Sequence, residues 1–152
     1  MFKRISHTFL FVLDQDQALD FYVGKLGMKV VNDADLGVMR FLTVGFPQQP
    51  DLVVVLMRPG EPAHDPQTTA EIRELVAKGA AGGGLILETD DCQGTYERLK
   101  AAGVEFTQEP VKRFYGTDCA VRDPFGNPIR FTQFPEGEIK VPTPEEYAAG
   151  TQ

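Results

Sequence analysis

Two stretches of the chain decide how it folds. The first reads Phe11-Val12-Leu13-Asp14, then Gln17-Ala18-Leu19-Asp20-Phe21-Tyr22, then Leu26-Gly27-Met28-Lys29-Val30. The second reads Leu87-Glu88-Thr89-Asp90-Asp91, then Gly94-Thr95-Tyr96-Glu97-Arg98-Leu99, then Ala102-Gly103-Val104-Glu105-Phe106. Each stretch is an apolar strand, an acidic helix start, a short amphipathic helix, a glycine stop and a new strand. Asp14 to Gly27 and Asp90 to Gly103 are equally spaced. An aspartate at a helix start accepts amide hydrogens that have no partner within the helix. A glycine supplies the left-handed residue that ends the helix. Ala18, Phe21, Tyr22 and Leu26 share one helical face, as do Tyr96 and Leu99 in the second copy.

Two further strands follow each helix: Val38–Gly45 and Leu52–Arg58 in the first half, Thr117–Arg122 and Ile129–Phe134 in the second. Turn residues bound them, at Gly45–Pro50 and at Asp123-Pro124-Phe125-Gly126-Asn127-Pro128. The expected class is α+β, two βαβββ modules whose mixed sheets form a concave cleft. Residues 1–58 are read as module one, 59–82 as a linker with a helix, 83–135 as module two, together one domain (1–135), and 136–152 as a polar tail. In the linker, Thr68-Thr69-Ala70-Glu71 has capping-box spacing ahead of Ile72, Leu75 and Val76. In the tail, Thr143-Pro144-Glu145-Glu146 suits the start of one more short helix.

Composition bounds the function. The chain has 152 residues, 42% hydrophobic and 24% charged, with a net charge of −7. That fits one compact domain. No Lys/Arg run is present, which argues against a nucleic-acid or anionic-membrane partner. The longest apolar run, Leu52 to Met57, is far below the ~20 residues that cross a bilayer. The N-terminus lacks the apolar core of a signal peptide. Cys92 and Cys119 are read as free thiols used as small apolar filler, which implies a reducing cytoplasm.

Strand alternation nominates the side chains that face the cleft. Leu10 and Val12 pack on the helix, so His7, Phe9 and Phe11 face the other way. Leu85 and Leu87 pack on the second helix, so Ile86 and Glu88 face the cleft. Ile129 and Phe131 do the same, so Arg130 and Thr132 join them. Leu52–Met57 is apolar throughout and its parity is not readable.

Ile5-Ser6-His7-Thr8-Phe9-Leu10, Ala18-Leu19-Asp20-Phe21-Tyr22 and Leu26-Gly27-Met28 resemble the opening of glyoxalase-type proteins. Arg122-Asp123-Pro124-Phe125-Gly126-Asn127 ahead of a strand resembles their closing motif. Over residues 1–134 the chain is therefore similar to the vicinal oxygen chelate superfamily, the glyoxalase/bleomycin-resistance protein/extradiol dioxygenase group. The resemblance implies a metal site with one ligand from each of four central strands. His7 matches the first ligand position. Val54 or Val55 stands at the second, Gly83 or Gly84 at the third and Arg130 at the fourth. This set implies a degenerate metal site, so the expectation is no metal and no cofactor.

The expected function is binding of a small, planar or carbonyl-containing organic molecule in the cleft between modules. His7 and Arg130 are the candidate catalytic residues. Phe9, Phe11, Glu88, Tyr115 and Thr132 are the candidate substrate contacts. Arg130 would present fixed positive charge where relatives hold the ion, unless Glu88 and Arg130 simply pair with each other. Asp118 and Tyr115 are placed at the cleft mouth. The aspartate pairs Asp14/Asp16 and Asp90/Asp91 are read as helix caps. The alternatives are a lyase or isomerase using His7 as base, or a metal-dependent lyase or dioxygenase with a rearranged set of His7, Glu88 and His64. His64 is otherwise expected to be solvent-exposed. The expected partners are a small-molecule ligand and a second copy of the chain in a homodimer.

Overall fold

The fold is described by a computed structural model covering residues 1–150; the last two residues of the 136–152 tail lie outside the described residues. The first unit comprises residues 1–84 and 123–127. Its strands are β1 (His7–Phe11), β2 (Lys29–Asp35), β3 (Arg40–Gly45) and β4 (Val53–Met57), in sheet order β1-β4-β3-β2. β1 pairs parallel with β4 and the other pairings are antiparallel. The second unit comprises residues 85–122 and 128 onward. Its strands β5 (Leu85–Glu88), β6 (Phe106–Arg113), β7 (Gly116–Arg122) and β8 (Pro128–Gln133) repeat the plan in the order β5-β8-β7-β6. β5 and β8 are again the parallel pair. Each unit is thus the expected strand–helix–three-strand module, and the architecture is two four-stranded mixed sheets with helices.

The first helix is α1 (Gln15–Leu19), which continues as a wider π-helical stretch, Asp20–Lys25. Asp14 caps it, accepting the Gln17 amide at 2.8 Å. The second unit's helix is α3 (Cys92–Ala101), capped by Asp91, which accepts the Gly94 amide at 2.9 Å. The cap is Asp91, so the equal spacing measured from Asp90 is corrected. Gly27 is the thirteenth residue after its cap and Gly103 the twelfth after its own, and both have the left-handed φ expected of them. The first copy carries one extra residue, and the π-helical widening absorbs it. Phe21 and Tyr22 are neighbours there and both are buried.

In the linker, α2 (Pro66–Ala77) begins earlier than Thr68. Asp65 caps it through the Thr68 amide at 2.8 Å, with Pro66 in the first turn. A Pro at that position loses no helical hydrogen bond, so Asp65-Pro66 outcompetes the later Thr68–Glu71 pattern. The tail helix α4 (Pro144–Ala148) forms as expected, with a capping box between Thr143 and Glu146.

Leu10, Val12, Ala18 and Tyr22 are at most 1% exposed and form the core between the first sheet and its helix. Leu99, Cys119, Ile129 and Phe131 form the corresponding core of the second. Each large side chain so buried stabilises by about 1.5–3 kcal/mol. The turn Asp123–Asn127, although it joins β7 to β8, completes the first unit. The Tyr22 hydroxyl donates to Asp123 Oδ2 at 2.7 Å, and Asn127 Nδ2 donates to the Phe11 carbonyl at 2.7 Å. Asp123 Oδ1 accepts the amides of Phe125, Gly126 and Asn127, each at 2.9 Å. Gly126 lies so close to the end of α2 that a Cβ would meet the Val76 carbonyl at 2.4 Å.

Candidate functional site

Register fixes which side chains share a face. Ile86, Arg130 and Ala120 form one row across the second sheet, and Glu88, Thr132 and Asp118 form the next. These residues alternate with Leu85, Leu87, Ile129, Phe131, Cys119 and Val121, which turn to the helix side. Asp118 is the centre of this face. It is fully buried, and a buried carboxylate needs partners. Arg130 Nη1 donates to its Oδ2 in a short contact. The Tyr115 hydroxyl donates to the same oxygen at 3.0 Å, Gln108 Nε2 donates to Oδ1 at 2.9 Å, and Arg113 Nε stands 4.0 Å from Oδ1. Desolvation, and then the hydrogen bond to Asp118, push the Tyr115 hydroxyl above its ordinary pKa, so it remains a phenol that donates.

Arg130 is 42% exposed at its side chain and has one partner, Asp118. Its remaining N–H groups make no bond among the described residues. One edge of the guanidinium is fixed while the other is free to bind, which suits an oxygen-rich or anionic group. The Glu88–Arg130 pairing is not formed. Glu88 is exposed on the edge strand β5, where water solvates it, whereas Asp118 on central β7 has no access to water and takes the arginine. Thr132 lies beside Asp118 and is buried. Tyr115 packs edge-on against Phe114, centroids 5.1 Å apart.

In the first unit, His7, Phe9 and Phe11 line up with Val53, Val55 and Met57, which settles the parity of the apolar β4 run. His7 and Phe9 are exposed, Phe9 by 58%. His7 Nδ1 lies 2.9 Å from the Ser6 hydroxyl, which leaves Nε2 free. His64 departs from expectation. It is half-buried, with its ring edge-on to Phe11 at 5.5 Å between centroids. The Thr69 hydroxyl contacts its carbonyl at 3.5 Å, and its own amide donates to Gly60 at 2.9 Å. These local bonds fold the linker back toward the end of β1.

The donor set does not fit a divalent ion. Val54 and Val55 are buried hydrocarbons on β4, Gly83 and Gly84 have no side chain, and Arg130 is a cation already paired to Asp118. Among the described residues, no three or more His, Cys, Asp and Glu side chains are grouped to hold a metal. Cys92 and Cys119 are both free and buried, with sulfurs 3.6 Å apart. Burial raises both thiols, Cys119 to about 12, which suits inert filler.

The model of the Glyoxalase/Bleomycin resistance protein/Dioxygenase superfamily matches residues 4–131. The chain belongs to that superfamily. Among solved structures, this glyoxalase-like chain is similar to UcmS2, with 47% identity and a TM-score of 0.80 over 87% of this chain and 98% of that one. It is also similar to TnmS3, an antibiotic binding protein from Streptomyces sp. CB03234, with 27% identity and a TM-score of 0.69 over 88% and 98% of the two chains. A lactoylglutathione lyase of Neisseria meningitidis serogroup A is 32% identical over 142 residues, 91% of this chain and 96% of the lyase. No helix among the described residues is long and apolar enough to cross a membrane.

Sequence reasoning placed Asp118 only at a rim. The available signal was a single acidic residue directly ahead of the apolar run Cys119-Ala120-Val121, two residues from Ala120 on the Arg130 row. A lone acid in an apolar strand calls for a cation on its own face.

Proposed function

We infer that this glyoxalase-like protein binds a small, planar or carbonyl-containing organic molecule without a metal. The observation that carries the reading is the half-exposed Arg130 guanidinium, anchored on one edge by buried Asp118. It provides a fixed cation at a position where the family resemblance implies a metal ligand. Tyr115 and Thr132 flank Asp118, and Ile86 supplies exposed apolar surface in the Arg130 row. The antibiotic-binding neighbour TnmS3 supports the same class of role. Phe9 at 58% exposure in the first unit and Ile86 at 67% in the second support a homodimer, in which a second copy covers such exposed apolar side chains. Sedimentation equilibrium returning the monomer mass at all concentrations would argue against that assembly.

The test is a thermal-shift screen against planar aromatic antibiotics and aryl carbonyl compounds. A ligand that binds only the folded state raises Tm by mass action. Arg130→Lys keeps a positive charge near Asp118 but loses the planar fork, and the expected loss of affinity for an oxygen-rich hit is about tenfold. No shift with any compound at saturation, or stoichiometric Ni, Zn, Fe or Mn in the purified protein, defeats the reading. A second reading, a lyase or isomerase with His7 as base, is favoured by the free Nε2 of His7 and by the lyase relative. Turnover of an identified substrate that survives His7→Ala removes it.

A further inference from the structure

The linker histidine has a feature that neither the fold nor Arg130 explains. His64 Nδ1 is buried and has no hydrogen-bond partner. Nε2 is not among the buried atoms and likewise makes no bond among the described residues. The two nitrogens therefore differ in what a hydrogen on them would cost. A buried N–H without an acceptor loses its hydration with nothing in return, and such orphaned donors are rarer in proteins than under-satisfied acceptors. The tautomer expected of the neutral imidazole therefore carries its hydrogen on Nε2. Phe11 stands edge-on to this ring and lies on the β1 face that also carries His7 and Phe9.

We propose that His64 is a ligand-binding residue that donates its Nε2 hydrogen to the carbonyl oxygen of a planar aromatic ketone lying against Phe11. The proposal rests on the small-molecule reading above and assigns a specificity contact in the first unit. The linker delivers this donor, and its orientation is set by burial of the opposite nitrogen. Discrimination follows from chemistry. A ring system with an oxygen acceptor satisfies Nε2–H, and the same ring system without it leaves that hydrogen unpaired when water is displaced.

Two measurements test it on the full-length protein. The first is the nitrogen spectrum of histidine-labelled protein with no ligand added. His64 is expected in the Nε2–H form, and an Nδ1–H form overturns the proposal. The second compares 9-fluorenone with fluorene, which share a planar skeleton and differ in the carbonyl. Wild type is expected to prefer the ketone about threefold to tenfold, the size of one net hydrogen bond. His64→Phe keeps a ring against Phe11, removes the buried unpaired nitrogen and is expected to raise Tm while abolishing the preference. A preference retained in His64→Phe, equal binding of the two compounds by wild type, or uptake of neither overturns the donor role. The Arg130→Lys comparison is read on a different residue and compound set, so failure there is separable from failure here.

Discussion

The first turns of α1 and α3 solve the same problem with different chemistry. Each begins after an aspartate cap, and the first helical residue of each, Gln15 or Cys92, is buried. Gln15 Nε2 donates to the Leu56 and Arg40 carbonyls at 2.9 and 3.0 Å. The Cys92 thiol makes only weak sulfur contacts, 3.7 Å from the Phe131 carbonyl and 3.6 Å from the Cys119 sulfur. On the sheet faces away from the helices the contrast reverses. The second sheet carries the buried Asp118 with its ring of donors, while the first carries exposed His7 and Phe9 beside a valine row. The repeated residues are those that make strands, caps and stops. The residues proposed for the site, His7 in one copy and Arg130 with Asp118 in the other, have no counterpart in the repeat.

The largest expected effect tests the polar face of the second sheet. Arg130→Met leaves a buried carboxylate short of its main counter-charge and is expected to cost about 3 kcal/mol in urea unfolding. Asp118→Asn frees a guanidinium that is already half in water and should cost clearly less. Equal costs would mean that Asp118 does not organise the cluster. Next is Gln15→Ala, which strips two buried carbonyls of their donor and is expected to cost about 2 kcal/mol. Cys92→Ala removes weak sulfur contacts and a small volume, for about 1 kcal/mol. If Cys92 proves the costlier of the two, the contrast between the helix starts fails.

A smaller effect appears in alkali. Cys119 is raised to about 12 in the folded protein, first by desolvation. A raised pKa gives a contribution that is full below the unfolded-state value and fades as pH rises through the folded one. Wild type should lose stability from about pH 9 toward about pH 12, and Cys119→Ala should lose less over that window, as read by Tm against pH. The smallest effect belongs to His7→Ala. An exposed side chain with a neighbouring serine as its contact should change stability by under about 0.5 kcal/mol, so any loss of ligand binding there reports contact rather than folding.

The fold was legible because its signals are local. Asp14, Gly27, Gly103 and Thr143-Pro144 act within a few residues of themselves, and the structure honours each. The spacing error at Asp90/Asp91 arose because two adjacent aspartates present the same cap signal, and only backbone geometry selects Asp91. Alternation also oriented β1, β5 and β8, because a polar residue in each, His7, Glu88 or Arg130, marks the face turned away from the helix. It was silent on β4, where Val53, Val54, Val55 and Leu56 are buried on both faces. The candidate site was less legible. The alternative of a Glu88–Arg130 pair gives way to Asp118 because both are acids on the Arg130 face, and periodicity does not tell an edge strand from a central one. His64 was out of reach for a similar reason, since the loop that carries it follows no period.

The turn at Asp123–Asn127 has a temporal consequence. It supplies the hydroxyl acceptor for Tyr22 and the amide donor for the Phe11 carbonyl, partners 101 and 116 residues away in the chain. A ribosome that has released only the first eighty-odd residues has therefore exported all four strands of the first sheet, but not the turn that completes their unit. Closure at such separations is slow. The nascent N-terminal segment must wait, with its tyrosine lacking its acceptor, until Asp123 has been made.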